Sequence, residues 1–375
     1  MSEEQQIADY CEKGRAHWPD EPVTPLKSAS VQCQMEETFY EHYLRYFQNA
    51  EEKRRWNVDT DIPWAAAEGN ASELVVSIIE SFCAVESFLP DYTSKIMALI
   101  RKSKGRALFQ ANWGYEESKH SLALERWLIA SGKRTEDEME DFERSLLGAE
   151  WKLPFETPRQ MICYTMIQEL ATGLNYTNLR KLVHENGEGD PCLDKALRWL
   201  SSDESAHYNF FRKGVKTYMA LDPEGTIADI KYVFDNFAMP AHALIPEWEK
   251  RGAEIEASGI YGPKMYLAKI RKPVLEDLNI SRTQLKEAGL PSHEIDEVAD
   301  RAETKAEQAK QALYPRITSL PAIPVAASRV QKNHVVRLFF GSPISGNPAF
   351  YIKWNIKNSR KRQVNFIVPL IFKRN

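Results

Sequence analysis

Residues 113–120 read WGYEESKH and residues 203–207 read DESAH, and both hold the spacing Glu-x-x-His: Glu117 with His120, and Glu204 with His207. At about 3.6 residues per turn, positions three apart share a helix face, so each pair presents a carboxylate and an imidazole to one point. A single copy arises easily by chance on a solvated helix. Two copies carry more weight here because single carboxylates interrupt apolar helical runs nearby, Glu86 within Ser81–Leu89 and Glu169 within Met161–Leu170. A carboxylate on such a face is costly unless paired or metal-bound. The chain order of a lone Glu, a pair, a lone Glu and a pair supplies four carboxylates and two imidazoles. Their formal charge of roughly −4 is what two divalent ions neutralise, and the oxygen-rich set favours iron or manganese over structural zinc.

Outward from these motifs the pattern is helical. Long helices are expected over Ala71–Phe88, Asp91–Glu125 with a break at Gly105 or Gly114, Thr157–His184 and Leu193–Tyr218, with another around Met35–Phe47. Thr157 before Pro158 reads as an N-cap with proline in the first turn. Asn186 and Gly187 close that helix, and Asp190–Pro191 opens the next. Thr135, followed by Glu136 and Glu138, starts a short helix. Helical patterns broken by Pro223, Pro240, Pro246 and Pro263 continue to Ile270, Ser281 caps a helix ending near Gly289, and Pro291–Leu313 reads as a polar helix. Strand character is confined to Val335–Phe340 and Asn365–Phe372. The expected division is an N-terminal wrapping segment over 1–70, a helical metal-binding domain over 71–320 and a basic tail over 321–375.

With 375 residues, the chain is long enough to bury an active site. Its 43% hydrophobic and 27% charged content excludes a wholly disordered or fibrous chain. No apolar run approaches the roughly 20 residues that span a bilayer, and the acidic, polar start is unlike a signal peptide. The five cysteines show neither zinc spacing nor an even disulfide set, so a reducing, cytoplasmic setting is expected. From Gln331 onward there are nine Lys or Arg and no Asp or Glu, which leaves net −13 on the body. The hydrophobic content of that tail is unlike a solvated nucleic-acid arm, so no nucleic acid is expected as a partner.

The order Glu86, Glu117-x-x-His120, Glu169, Glu204-x-x-His207 resembles the di-iron carboxylate bundles. The flanking text WGYEESKH, ICYTMIQELAT (162–172), DESAH, DPEGT (222–226) and MPAH (239–242) narrows the resemblance to the plant-type soluble acyl-ACP desaturases, over roughly Glu36–Glu297. That resemblance implies an all-α, ferritin-like di-iron bundle with additional helices, acting as a homodimer with two iron ions per subunit. It implies reduction of O2 with electrons from ferredoxin and removal of two hydrogens from a saturated chain on acyl carrier protein. By position, Glu117 and Glu204 match bridging carboxylates, Glu86 and Glu169 terminal ones, and His120 and His207 the imidazole ligands. Thr172 matches a threonine near the oxygen-binding face, while Trp56, Asp203 and His120 match a surface-to-iron electron route, with Asp203 also orienting His120.

Two positions depart from the family pattern, which commonly has Arg directly before each metal-site His; here Lys119 and Ala206 stand there. Phe88, Tyr115, Met166 and Phe210 are candidates for lining an acyl channel. Arg101, Lys102, Lys104 and Arg106, with Arg212, Lys213 and Lys216, are candidates for a basic patch toward an acidic carrier protein. The ligand set alone also admits a di-iron hydroxylase or N-oxygenase, or a non-catalytic iron-storage bundle.

Overall fold

Five of the helices are set by local signals at their ends. The computed structural model describes residues 29–288 and three short strands at 336–337, 351–357 and 363–369. Helix α1 covers Ala29–Lys53, α2 Glu73–Glu86, α3 Leu89–Ile100, α4 Lys104–Ala130, α5 Glu136–Leu146, α6 Pro158–Asn186, α7 Pro191–Leu221, α8 Pro223–Asp235 and α9 Trp248–Ala257. Ser72, Thr157 and Asp190 each accept a backbone N–H at the start of α2, α6 and α7, as N-cap side chains do. Thr135 and Glu138 form a reciprocal capping box on α5, and Asp222 caps α8 through Gly225. Gly187 at φ 69° ends α6 in the left-handed conformation that glycine adopts without strain. After α9 the chain runs through Pro263–Met265, a π-helical stretch Tyr266–Arg271 and Lys272–Asp277.

Several boundaries differ from expectation. Helix α1 begins six residues before Met35 and continues six beyond Phe47. The span 91–125 breaks at neither glycine: α3 ends at Ile100 and α4 starts after Ser103, whose backbone is extended. Gly105 lies inside α4 because α1 passes over it. A Cβ there would stand 2.5 Å from the Phe39 carbonyl carbon and 2.7 Å from its oxygen. The helix expected over Pro291–Leu313 lies outside the described residues.

Helices α6 and α7 form the most extensive pair, α2 packs on α4, and α1 lies across α4 and α7. The buried apolar residues fall into two clusters. On α4, Phe109 and Trp113 belong to one, and Ala123, Leu124, Trp127 and Leu128 to the other; on α7 the division lies between Leu200 and Phe210. The acid- and imidazole-bearing positions occupy the girdle between the clusters. Burial of apolar surface at about 25 cal/mol per Å2 on both sides holds a polar layer in place that could not fold by its own attraction.

The chain divides into two compact units, 1–296 and 297–375. In the second, the three strands pair antiparallel in the order β1 (Val336–Arg337), β2 (Tyr351–Lys357), β3 (Gln363–Pro369), with Trp354 opposite Phe366. The middle strand carried no clear signal in the sequence. Among the described residues no helix is long and apolar enough to cross a membrane.

Candidate metal centre

Four helices bring the motif residues to one place. Helix α2 supplies Glu86 from its last turn, α4 Glu117 and His120, α6 Glu169, and α7 Glu204 and His207; all six are buried. Their ligand atoms form two groups, Glu86, Glu117, His120 and Glu204, and Glu117, Glu169, Glu204 and His207, with the atoms of each group within 4.8 Å of one another. Glu117 and Glu204 belong to both groups.

The imidazoles are oriented alike. His120 Nδ1 lies 3.0 Å from Glu117 and 3.4 Å from Glu204, and His207 Nδ1 lies 2.8 Å from Glu117 and 3.3 Å from Glu169. Both Nε2 atoms point outward to a carboxylate: His120 to Asp203 at 3.5 Å and His207 to Glu116 at 2.9 Å. Each acid directly precedes a motif glutamate and reaches the histidine of the opposite helix. An outer acceptor of this kind fixes a ligand histidine's tautomer and ring plane.

The outermost carboxylates are also held. Tyr176 donates to Glu86 at 2.5 Å, and Trp113 Nε1 donates to Glu169 at 3.0 Å. The remaining inward atoms, including Glu117 Oε1, Glu169 Oε2, both oxygens of Glu204 and Nδ1 of each histidine, have no hydrogen bond. Buried oxygen and nitrogen lone pairs converging without donors suit divalent cations, and the donor set fits two iron ions.

The electrostatics of the protein alone agree. Burial, reinforced by Glu117, raises Glu86 to about 8, and burial with Glu117 and Glu169 raises Glu204 well above the usual range. Burial works against protonated histidine, yet Glu117, Asp203 and Glu204 around His120, and Tyr46, Glu117 and Glu116 around His207, hold both well above ordinary imidazole values. For Glu116, burial is outweighed by His207, Arg54 and Tyr46, which hold its carboxyl down at about 2.

Arg54, just beyond α1, joins the two sides. Its guanidinium bonds Asp203 and, at 2.9 Å, Glu116. Arg55 reaches Glu116 at 2.5 Å, and Tyr46 donates to the same carboxylate. Trp56 is 4% exposed and donates Nε1 to Asp203 at 2.7 Å. Lys119 Nζ lies 4.0 Å from Asp203 and 4.6 Å from the centre of the Trp56 ring. The charge expected to be missing at Ala206 is therefore met from a different element. Glu116 and Arg54 escaped the sequence reading. The doublets Glu116–Glu117 and Asp203–Glu204 were a signal for the first, whereas nothing in the sequence pointed to the second.

An apolar chamber of about 360 Å3 opens beside Glu86 and Thr172; Phe82, Tyr176, Phe237, Trp248 and Tyr261 form much of its wall. A smaller cavity of about 20 Å3 shares Val85, Glu86 and Thr172 with the chamber and touches Glu117. Thr172 Oγ1 donates to the Gln168 carbonyl at 3.1 Å. The four residues expected to line a channel do not line this chamber. Phe88 and Met166 are core packing, Phe210 borders a separate small cavity, and Tyr115 is 55% exposed. The chamber's wall comes instead from α2, α6 and the segment after α8, where distant chain positions meet. The basic candidates divide too. Arg106 is buried against Glu36 at 2.6 Å, and Arg212 and Lys216 bond Asp277, while Arg101, Lys102, Lys104 and Lys213 are exposed.

Comparison with known proteins gives a concordant result. The family profile described as fatty acid desaturase matches residues 43–320. DesA1 of Mycobacterium tuberculosis, named as an acyl-[acyl-carrier-protein] desaturase, is 22% identical over 60% of this chain and 71% of its own length. The chloroplastic stearoyl-[acyl-carrier-protein] 9-desaturase 5 of Arabidopsis thaliana is 26% identical over 60% of this chain and 62% of its own. Among solved structures, DesA2 of M. tuberculosis H37Rv shares the fold with TM-score 0.51 at 16% identity, covering 68% of this chain and 98% of that one.

Proposed function

This chain belongs to the fatty acid desaturase family, and from that premise we propose that it introduces a cis double bond into a saturated fatty acyl chain carried on acyl carrier protein. In this reading it works in the cytoplasm as a homodimer, drawing electrons from ferredoxin. It is a di-iron, O2-dependent oxidoreductase of that family. The reaction consumes one O2, two electrons and two protons, takes two hydrogens from adjacent methylenes and releases two waters. The observation that supports the reading best is that Glu117 and Glu204 each belong to both ligand groups, which is what bridging carboxylates require.

Two bound irons would supply the O2-derived oxidant for unactivated C–H bonds, chemistry beyond any side chain. Glu86 and Glu169 would serve as the terminal carboxylates, held by Tyr176 and Trp113 so that each keeps an oxygen for the ions. His120 and His207 would present Nδ1, with Glu116 bonded to the outer nitrogen of His207 and Asp203 3.5 Å from that of His120. Trp56 connects to the centre through Asp203 and His120 as the electron route. Thr172, at the boundary of chamber and centre, can hold a proton at Oγ1 near the reacting end. The aromatic wall excludes water and orients the chain.

The test begins with iron content after anaerobic ferrous reconstitution of the parent and His207→Ala. Parent protein should hold about two irons per chain and the variant fewer; equal occupancy in folded proteins would overturn the ligand assignment. Turnover of saturated acyl-ACP with ferredoxin should then yield a product lighter by two hydrogens. A product heavier by one oxygen would establish a hydroxylase instead. Rapid ferroxidation without substrate oxidation would establish iron storage.

A further inference from the structure

Trp56 carries the proposed electron route inward, yet it barely reaches solvent, being 4% exposed. A second indole lies against it. The Trp199 ring on α7 is parallel to that of Trp56, with 4° between their planes and 5.9 Å between their centres, an offset stack. Trp199 is partly exposed, at the edge of the apolar cluster that holds Trp127 and Leu128. It stands one helical turn before Asp203, on the same face of α7. Trp199, Trp56, Asp203 and His120 therefore follow one another from the surface to the ligands. Ring stacks on ring, Trp56 Nε1 donates to Asp203 at 2.7 Å, and Asp203 lies 3.5 Å from His120 Nε2.

Each ring also faces an ammonium group. Lys119 Nζ is 4.6 Å from the centre of the Trp56 ring, and Lys195 Nζ is 4.8 Å from that of Trp199. The two lysines differ in setting. Lys119 is buried, 4.0 Å from Asp203, whereas Lys195 is partly exposed and has no carboxylate partner among the described residues. The outer end of the path thus presents an indole and an unpaired positive charge at one spot. We propose that Trp199 and Lys195 form the point at which electrons enter the protein, fitting a carrier that presents negative charge around its iron–sulfur cluster. This rests on the reading of Trp56 as the electron route and extends that route to the surface. In each transfer the carrier's cluster gives up one electron to the ferric centre. No bond forms or breaks, and the electron crosses the stacked rings by tunnelling, so neither indole is itself reduced. Trp199 acts through Trp56 and is a positioning residue for the transfer.

The experiment follows, by stopped-flow absorbance, the reduction of iron-loaded, full-length protein by reduced ferredoxin without O2 or substrate. Calorimetric binding of oxidised ferredoxin gives a second reading. Trp199→Leu should slow reduction about tenfold, or about 1.4 kcal/mol of barrier, with iron content unchanged. Trp199→Phe keeps a ring, guards against a folding defect in the Leu variant, and should stay nearer the parent rate. Lys195→Glu leaves both indoles in place; it should weaken ferredoxin binding and lower the rate most at low salt, where charges are least screened. Trp56→Leu is the reference. Slow reduction in Trp56→Leu with the parent rate in Trp199→Leu would overturn the proposal and leave the Trp56 route standing. Parent rates in both would overturn the route and its entry point together. Equal slowing by the Phe and Leu variants would reduce Trp199 to packing and overturn the proposal, as would ferredoxin binding that Lys195→Glu leaves unchanged.

Discussion

Arg54 bonds Glu116 on α4 and Asp203 on α7; Glu116 pairs with the outer nitrogen of His207 on α7 at 2.9 Å, and Asp203 lies 3.5 Å from that of His120 on α4. Removing its charge leaves two buried carboxylates short of a partner, and both are held in their ionised form. Breaking a buried pair from one side is strongly destabilising. Arg54→Met should therefore lower the stability of the metal-free protein by about 2–4 kcal/mol, read from guanidinium unfolding. Arg54→Lys should recover part of the loss, because it restores charge without the forked geometry. An unchanged midpoint in the Met variant would show that Arg55 and Tyr46 suffice for Glu116. The six motif residues were legible because Glu-x-x-His is a statement about one helix face. Arg54 was not, because its bonds to the two carboxylates join positions 62 and 149 residues away, a separation no local pattern encodes.

At the level of elements, the ends of α5, α6 and α7 were readable from Thr135, Thr157, Gly187 and Asp190, whose side chains or backbone act within a few residues. The break between α3 and α4 was not. A glycine inside a helical pattern invites a break, but Gly105 answers to tertiary packing: without a side chain, it lets α1 pass against α4 at the Phe39–Tyr40 backbone. Ser103 interrupts the helix instead, with its hydroxyl bonded to Glu36 and receiving Arg106 Nε at 2.8 Å. Gly105→Ala would place a methyl against backbone, which cannot turn aside as a flexible side chain can. The expected result is a loss of about 1–3 kcal/mol, the range for overpacking. Because α1 leads directly into Arg54 and Trp56, the same variant should release iron faster to a chelator than parent does. Parent-like melting and release would mean that α1 shifts freely over α4.

For the whole molecule, the girdle of buried acids between two apolar clusters makes stability without metal depend on pH in one direction between pH 5 and 8. Glu86, raised to about 8, and Glu204, raised well above the usual carboxylate range, bind protons in the folded state that they do not bind unfolded in this window. His120 and His207, also raised, retain protons that the unfolded chain releases near 6.5. In all four cases the folded state holds the extra proton, so stability is greatest at low pH and falls as pH rises. Glu116 and Glu117, lowered to about 2, act with opposite sign, but their contribution is lost only as pH falls from about 4.5 toward 2, below this window. Metal-free protein should therefore be less stable at pH 8 than at pH 5.5 by on the order of a few kcal/mol, and melt at a lower temperature. Ferrous ions reverse the slope, since they bind the ionised carboxylates and neutral imidazoles and displace those protons. Calorimetric melts of metal-free and iron-loaded protein across this range would decide the matter. Parallel curves would show that iron and the buried protons do not share the same oxygens and nitrogens, and the four-helix site would have to be redrawn.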